Sequence, residues 1–586
     1  MRVILRLTVF VRKYWGWLLL AFGALVASTV FNLIIPRMIG NAIDNSLSSG
    51  ERSVLFVAAG VVVGSAILRG LAEYANRYIA EAVSQKVAYD IRNAIFDQLQ
   101  RLSFAFHDKA QTGQLMSRAT VDVEAVRMFF GMGLVGIVQM VIMLIAISII
   151  ILTLNWQLAL LTLLFMPAIA WRAATVSNRL RPVWLQIQEL MAALGTILEE
   201  SLTGIRVVKA FSRQKEEAQK FSAQAGVLYD THVGIARIQA FNMPLMGFLI
   251  AIPTVVILWY GGRQVIAGNM TVGGLTQFIM YVSLLVMPVR RLGMMANMFS
   301  RTVSAGQRVF EILDAESAVQ EKPDAIEMGK VKGQVSFEDV SFGYDTMAPA
   351  VKNISFDVQP GELVALLGGS GSGKSTVASL ISRFYDVTGG RITVDDTDIR
   401  DVTLASLRNN VGIAQQDIFL FSTSIRNNIA YGSVSADMGQ IEAAAKAAHL
   451  HDFILTLPEG YDTWVGERGL TLSGGEKQRL AIARTLLINP GVLILDDSMS
   501  SVDAETETLI RQALTKLIEG RTTFIITHRL PIIKNANLIL MLDKGEIAEM
   551  GNHEELMARG GLYYQTYQSQ LMKDDGSEDN SLQRSK

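Results

Sequence analysis

Six stretches of this chain are apolar over close to the length that crosses a lipid bilayer, about 20 residues. They run roughly over Tyr14–Pro36, Ser53–Glu73, Phe129–Leu154, Trp156–Trp171, Phe241–Tyr260 and Gly274–Met294. The fourth is short in apolar residues, so a helix is expected to continue beyond Arg172. Half of the 586 residues are hydrophobic, which is high for a soluble protein. The N-terminus places basic residues before an apolar run, as a secretory leader does. No small-residue cleavage site follows, however, and further apolar runs do, so it reads as a first membrane span.

Basic residues set the orientation. Arg2, Arg6, Arg12 and Lys13 precede the first span. Arg77, Lys86, Arg92, Arg101, Lys109 and Arg118 lie between the second and third. Arg179, Arg181, Arg206, Lys209, Arg213, Lys215 and Lys220 lie between the fourth and fifth. The other loops are short, with Arg52 and Arg263 nearly their only cations. The positive-inside rule therefore puts the long segments and both termini in the cytoplasm, and Trp15, Trp17, Trp156, Trp171, Trp259 and Tyr260 fall near the expected interfaces. The inside segments, about 74–128 and 172–240, are too long to be turns. As helices rising 1.5 Å per residue they would reach tens of ångströms from the bilayer. Each is broken near its middle, at Phe104–Gly113 and at Ser201–Gly204. They either thicken the fold as helical hairpins or dock their tips on a cytoplasmic domain and transmit force.

After Asp314 the composition changes. Ala315–Gly333 is charged and contains Pro and Gly, as a linker would. From Gln334 on, β-rich runs (VSFEDVSF, LVALLG, VLILDD, TTFIIT) alternate with helical ones, the pattern of an α/β domain with a mostly parallel sheet. The expected organisation is a six-span α-helical transmembrane domain over 1–314, a linker over 315–333, an α/β domain over 334–572 and a disordered polar tail over 573–586. Fifty-three basic and 54 acidic residues leave no excess charge that points to nucleic acid. The chain has no cysteine, which excludes disulfides, zinc knuckles and thiol catalysis.

Gly368–Thr376 reads GGSGSGKST, between the apolar strand Glu362–Leu367 and a helical run. That is the setting a phosphate-binding loop needs. Gly368, Gly371 and Gly373 let backbone N–H groups around Ser370 converge on phosphates, and the following helix adds positive potential at Ser375 and Thr376. Lys374 can reach the β- and γ-phosphates, and the Ser375 hydroxyl can ligate Mg²⁺. Val492–Asp496 is an apolar strand ending in a carboxylate. Asp496 could hold Mg²⁺ through water, and Asp497 could polarise the attacking water. The plainer reading of Asp496 is an ordinary turn residue. His528, after TTFIIT, could contact the γ-phosphate, although a lone histidine after a strand is more often structural. Leu472–Glu476 (LSGGE) opens an amphipathic helix, so Ser473, Gly474 and Gly475 form a second anion-binding helix start.

In this order the motifs resemble the ATP-binding cassette family, and six spans followed by one cassette resemble its type IV exporters, the bacterial multidrug and lipid half-transporters. The resemblance covers nearly the whole chain. It implies ATP and Mg²⁺ as cofactors, Tyr344 stacking on adenine, and Gln416 in VGIAQQD between Mg²⁺ and the membrane domain. It further implies Thr463–Gly469 as the exporter X-loop, Ser501–Asp503 as the D-loop with Asp503, and His528 as the switch histidine. It also favours docking of the two cytoplasmic tips. In such proteins two cassettes face head to tail, each ATP lying between one P-loop and the other chain's LSGG. The partner is thus a second half-transporter, and the surroundings are a bilayer, here a bacterial inner membrane with the N-terminus and ATPase domain in the cytoplasm.

One position departs from the pattern. The family usually carries Glu after the Asp of the VLILD strand, and here Asp497 is one methylene shorter. Misplacement of a water-orienting carboxylate by near 1 Å can cost on the order of 100-fold. The substitution resembles the degenerate site of heterodimeric exporters, which implies a different half-transporter as partner; retained His528 argues for a homodimer instead. On the membrane side, Met280, Met287 and Met294 recur every seven residues in the sixth span, and Pro288 should kink it. Methionine suits an adaptable apolar wall, although ordinary helix packing gives the same pattern. No ionisable residue lies clearly at mid-bilayer, so hydrophobic or amphipathic small molecules, drugs or lipids, are the expected cargo. An inward-running transporter of the same fold and a membrane ATPase without transport are the alternatives.

Overall fold

A computed structural model describes residues 2–49, 52–344, 349–414, 417–433, 435–466, 469, 471–496, 504–527 and 529–571, without the side chains of 48, 49, 52–55, 286–292 and 504–506. The chain divides into two compact units. One comprises Met1–Gln100 and Thr112–Ala315; the other comprises Arg101–Gln111 and Glu316–Lys586.

The first unit is all helix. A short amphipathic helix, α1 (Arg2–Arg12), buries Leu7 and Val11. Long helices follow: α2 (Trp15–Ser49) and α3 (Arg52–Arg101). The chain then gives α4 (Phe104–Lys109) to the other unit before returning as α5 (Thr112–Leu154), α6 (Trp156–Thr203), α7 (Gln214–Ile266) and α8 (Val272–Leu313). Among the described residues five helices, α2, α3, α5, α6 and α7, are long and apolar enough to cross a membrane; in α8 the apolar stretch is Val272–Leu285. The long polar segments between the apolar stretches are continuations of these helices rather than loops. With 50 residues, α3 is about 75 Å long. The second break falls where α6 ends at Thr203 and Gly204 leads into the short helix Ile205–Ala210.

Two apolar clusters hold this unit together. One joins Leu7, Val87, Ile91, Ile95, Val126, Val309 and Ile312. The other joins Ile147, Ile151, Leu158, Phe278, Tyr281 and Leu285. Near the first cluster, Arg127 pairs with Glu124 at 2.6 Å and with Glu81, and Arg308 pairs with the buried Asp122. Helices α2 and α8 approach so closely that a Cβ on Gly273 would lie 2.0 Å from the Gly40 carbonyl oxygen. Asp44 fastens this crossing by accepting the Gly273 N–H and the Thr271 hydroxyl, both at 2.7 Å.

The second unit is α/β. Strands β1 (Val335–Phe342), β2 (Val351–Val358), β4 (Gly389–Val394) and β5 (Thr397–Asp398) form an antiparallel sheet in the order β2-β1-β4-β5. Strands β3 (Leu363–Gly368), β6 (Val411–Ala414), β7 (Val492–Asp496), β8 (Thr522–Ile526), β9 (Leu538–Asp543) and β10 (Glu546–Gly551) form a second sheet in the order β10-β9-β3-β8-β7-β6. It is parallel except for β10. Its central strands are covered on both faces, so they read as unbroken apolar runs. Val364, Leu366, Val492 and Ile494 enter one cluster with the antiparallel sheet. Ala365, Leu367, Leu493 and Leu495 enter the other, with a helical region that includes Ile441, Ile454 and Leu480.

The segment expected to be a linker is not a free tether. Val319 and Val331 are buried, Lys322 pairs with Asp401, Glu321 accepts the Leu404 N–H at 2.6 Å, and Ile326 bridges Val402. Its polar side chains look solvated in sequence because their partners lie about 80 residues away.

Candidate functional site

The first glycine-rich segment joins β3 to helix α9 (Lys374–Ile381). Gly368 closes β3 at φ +144°, and a Cβ there would fall 2.2 Å from the Leu542 carbonyl oxygen of β9 and 2.6 Å from Ser372 Oγ. Only glycine fits that approach. Gly371 and Gly373 take left-handed φ values of +76° and +106°, which turn the loop so that it opens α9. The result is a concave run of backbone before a helix start, a cradle for anionic oxygens.

Lys374 begins α9 and lies over the loop. Its Nζ donates to Gly368 O at 2.8 Å and Gly369 O at 2.7 Å. Burial pushes its pKa down, and the nearby Asp496 carboxylate opposes that shift. Asp496 ends β7. It pairs with Ile526 of β8, which pairs on its other side with Leu366 of β3. Three adjacent parallel strands thus deliver Asp496 and the glycine loop to the carboxyl edge of the sheet, where α/β sheets bind ligands. Ser370 and Ser375 are exposed at this edge, while Thr376 is buried, with Oγ1 3.2 Å from the Tyr344 hydroxyl. The Tyr344 ring is 48% exposed beside the loop, available for stacking.

The second glycine-rich segment opens helix α10 (Gly474–Ile488). Ser473 and Glu476 form a capping box. The Glu476 carboxylate accepts the Ser473 N–H at 2.7 Å, and Ser473 Oγ accepts the Glu476 N–H at 3.4 Å. Glu476 is thereby a structural part of this helix start, a role that its S-x-x-E spacing encodes. Gly474 is exposed, and a Cβ there would meet nothing within 4 Å. Among the described residues no hydrogen bond joins Ser473–Glu476 to Gly368–Thr376. Gln416, Asp497, Asp503 and His528 lie outside the described residues, as do Glu467 and Arg468 of the expected X-loop.

Sequence reading passed over one part of this unit. Arg383 is 2% exposed and left-handed at φ +49°. It is held by Asp386 at 2.7 Å and by the carbonyls of Gln320 at 2.9 Å and Ile399 at 3.3 Å. The next residues, Phe384 and Tyr385, meet the segment Arg101–Gln111. The Phe104 and Phe384 rings lie 4.2 Å apart, and Tyr385 donates to Asp108. The break at Phe104–Gly113 and the family resemblance favoured docking of this tip, but neither pointed to Arg383, Phe384 and Tyr385 as the residues that receive it.

Residues 18–289 match the model of the ABC transporter transmembrane region, and residues 351–500 match that of the ABC transporter family. An ATP-dependent lipid A-core flippase of Syntrophus aciditrophicus (strain SB) is 38% identical over 561 residues, covering 96% of this chain and 92% of that protein. This chain is an ABC exporter half-transporter. A Bacillus subtilis (strain 168) protein provisionally named a multidrug export ATP-binding/permease protein is 38% identical over 533 residues, 90% of this chain and 92% of its own length. The structure of a bacterial Atm1-family ABC exporter with ATP bound superposes with a TM-score of 0.77 at 32% identity, covering 95% of this chain and 98% of that one. The half-transporter is therefore an ATPase coupled to transport, with its helical membrane domain before its nucleotide-binding domain, and it functions as a dimer.

Proposed function

We propose that this half-transporter exports amphipathic or hydrophobic small molecules, lipids or drugs, by ATP-driven alternating access. The observation that carries the proposal is the shared sheet edge: the glycine cradle, Lys374 and Asp496 converge there beside Tyr344. The names of the relatives, a lipid A-core flippase and a multidrug export protein, support the cargo class. Exposed apolar side chains along the spans, such as Leu68, Ile145 and Phe248, fit a bilayer.

In this reading the sixth span is the start of α8, and the cassette and N-terminus face the cytoplasm of a bacterial inner membrane. Mg²⁺·ATP supplies the phosphoryl chemistry when bound. The cradle of Gly368, Ser370, Gly371 and Gly373 orients phosphate oxygens, and the desolvated Lys374 neutralises their charge. Ser375, Asp496 and Gln416 hold the metal. Thr376 and Tyr344 fix the adenosine side. Ser473, Gly474 and Gly475 close on the site of the partner chain, with Asp503 and His528 at the seam. Closing of two such units is passed by the helices α3, α5, α6 and α7 to the spans, which exchange inward for outward access.

The partner is proposed to be a different half-transporter, with Asp497 making this chain's own site the slow one. Asp497 in place of glutamate supports this reading. The test is to purify this chain alone, reconstitute it and measure phosphate release. Weak release that Asp497→Glu raises fits the proposal. Robust turnover that Asp497→Ala abolishes assigns a working homodimer instead. Loss of ATP binding in Lys374→Ala, together with ATP-dependent movement of a fluorescent drug or lipid across vesicles, tests the transport reading itself.

A further inference from the structure

Arg101–Gln111 is reached from a membrane helix yet belongs to the α/β unit. Its side chains converge on one short stretch of that unit. Phe104 lies against Phe384, Asp108 accepts the Tyr385 hydroxyl, and Ser103 Oγ accepts the Ala318 N–H at 3.3 Å. On its other side the Tyr385 ring meets the edge of Tyr344, with centroids 5.1 Å apart at 86°, and the ring of Phe342 at 5.3 Å. Tyr344 reaches the glycine-loop helix through Thr376. A single aromatic side chain thus touches the nucleotide platform with its ring and segment 101–111 with its hydroxyl.

The mount is stiff. Arg383, directly before this pair, is buried and tied at three points. The Arg408 guanidinium lies 5.3 Å over the Phe384 ring and bonds the Arg383 carbonyl at 3.1 Å. Held ring and held hydroxyl leave Tyr385 little rotation, so displacement of Tyr344 is passed on rather than absorbed.

We propose that Tyr385 is a positioning residue that reports occupancy of the Tyr344 side of the nucleotide site to segment 101–111, and through it to the membrane helices on either side. This rests on the reading of Tyr344 as the adenine platform. Burial, and then the Asp108 carboxylate, push the Tyr385 phenol up, so it remains a hydrogen-bond donor throughout the physiological range. The residue is not catalytic. Its removal should spare nucleotide affinity and weaken the signal.

The absence of cysteine makes the test clean. Gly113 is exposed and a Cβ there meets nothing within 4 Å, so Gly113→Cys carries a bimane label as the sole thiol adduct. The full chain is placed in lipid nanodiscs. The emission shift on adding a non-hydrolysable ATP analogue with Mg²⁺ is recorded beside a binding titration with a fluorescent ATP analogue. Tyr385→Phe and Asp108→Ala should each remove roughly half the shift or more while changing Kd by less than about twofold, and the double variant should lose no more than either single one. Asp108→Asn, whose amide oxygen still accepts, should retain the shift. Unchanged shifts in the single variants, additive losses, Kd weakening in step with the shift, or a parent protein that binds nucleotide without any shift would each overturn the proposal. A parent that binds no nucleotide would instead refute the reading of Tyr344 on which it rests.

Discussion

Replacement of Arg383 by methionine isolates the energetics of the mount beneath Phe384 and Tyr385. The side chain of Arg383 is 3% exposed and makes four hydrogen bonds, two to Asp386 and one each to the carbonyls of Gln320 and Ile399. Methionine fills much of the same volume, so cavity cost is small and the loss is electrostatic. Breaking a buried pair by removing one partner costs about 3–5 kcal/mol, since the other is left uncompensated. The Asp386 side chain is 31% exposed, so water can take over part of its solvation. That places the loss near the lower end, at about 3 kcal/mol, and the stranded carbonyls account for much of it. The backbone strain at φ +49° is common to both proteins and cancels. For a unit of this size about 3 kcal/mol corresponds to a Tm lower by roughly 6–12 °C. Trp464 is the single tryptophan of the α/β unit, so replacing the other tryptophans with phenylalanine lets fluorescence follow its unfolding alone. Asp386→Asn should cost less, on the order of 1 kcal/mol, because that group is partly solvated. A shift below about 2 °C for Arg383→Met, or equal losses in the two variants, would refute the reasoning.

Three other outcomes follow from the geometry. Gly368→Ala forces a methyl to within 2.2 Å of a backbone oxygen, so ATP affinity should fall by on the order of 10-fold or more in a binding titration, with a lower Tm. In the membrane half, Gly273→Ala drives a Cβ toward the Gly40 carbonyl and should cost about 1–3 kcal/mol in detergent melting, whereas Gly247→Ala, with nothing within 4 Å, should be silent. Asp398 carries a lowered pKa. Burial pushes it up, but the Arg400 fork at 2.7 Å and the Arg400 N–H at 2.8 Å outweigh that. A depressed carboxylate contributes stability above its unfolded value of about 4, and the contribution is lost as pH falls through the folded value. Arg400→Ala should therefore lower Tm by a constant amount between about pH 5 and 8, and the difference should close in stronger acid.

Much of this was legible because it is local. Apolar runs mark the spans, and GGSGSGKST encodes in its own spacing the φ values that Gly371 and Gly373 adopt. Asp496 was readable as the end of an apolar strand, and the sheet order then puts it beside the glycine loop. What escaped depends on contacts distant in sequence. The six residues of Phe104–Lys109 are too few to show a helical period, and nothing in them indicates that Phe104 and Asp108 will meet residues 280 and 277 positions later. Ala315–Gly333 reads as a linker because it is charged and contains Pro and Gly; its packing rests on partners about 80 residues away, where Lys322 and Glu321 find Asp401 and the Leu404 amide. The cap that Ser473 and Glu476 form is local too, since their S-x-x-E spacing specifies it.

These distant contacts bear on how work leaves the nucleotide site. A change at the carboxyl edge of β3 and β7 can do work on the membrane only through elements that respond to that edge and are stiff beyond it. The doubly covered sheet is a poor conduit, since both of its faces are locked in apolar packing. Tyr344 stands outside those clusters and Tyr385 packs only against the margin of one, the two rings meeting edge to face at the rim. Segment 101–111, which they hold, continues directly into α3, a helix of 50 residues whose backbone bonds make it a rod over its whole length. A small tilt at its foot becomes a displacement at its far end that grows with length. Placing the sensor at the rim rather than in the core therefore costs little stability and gives it a lever about 75 Å long.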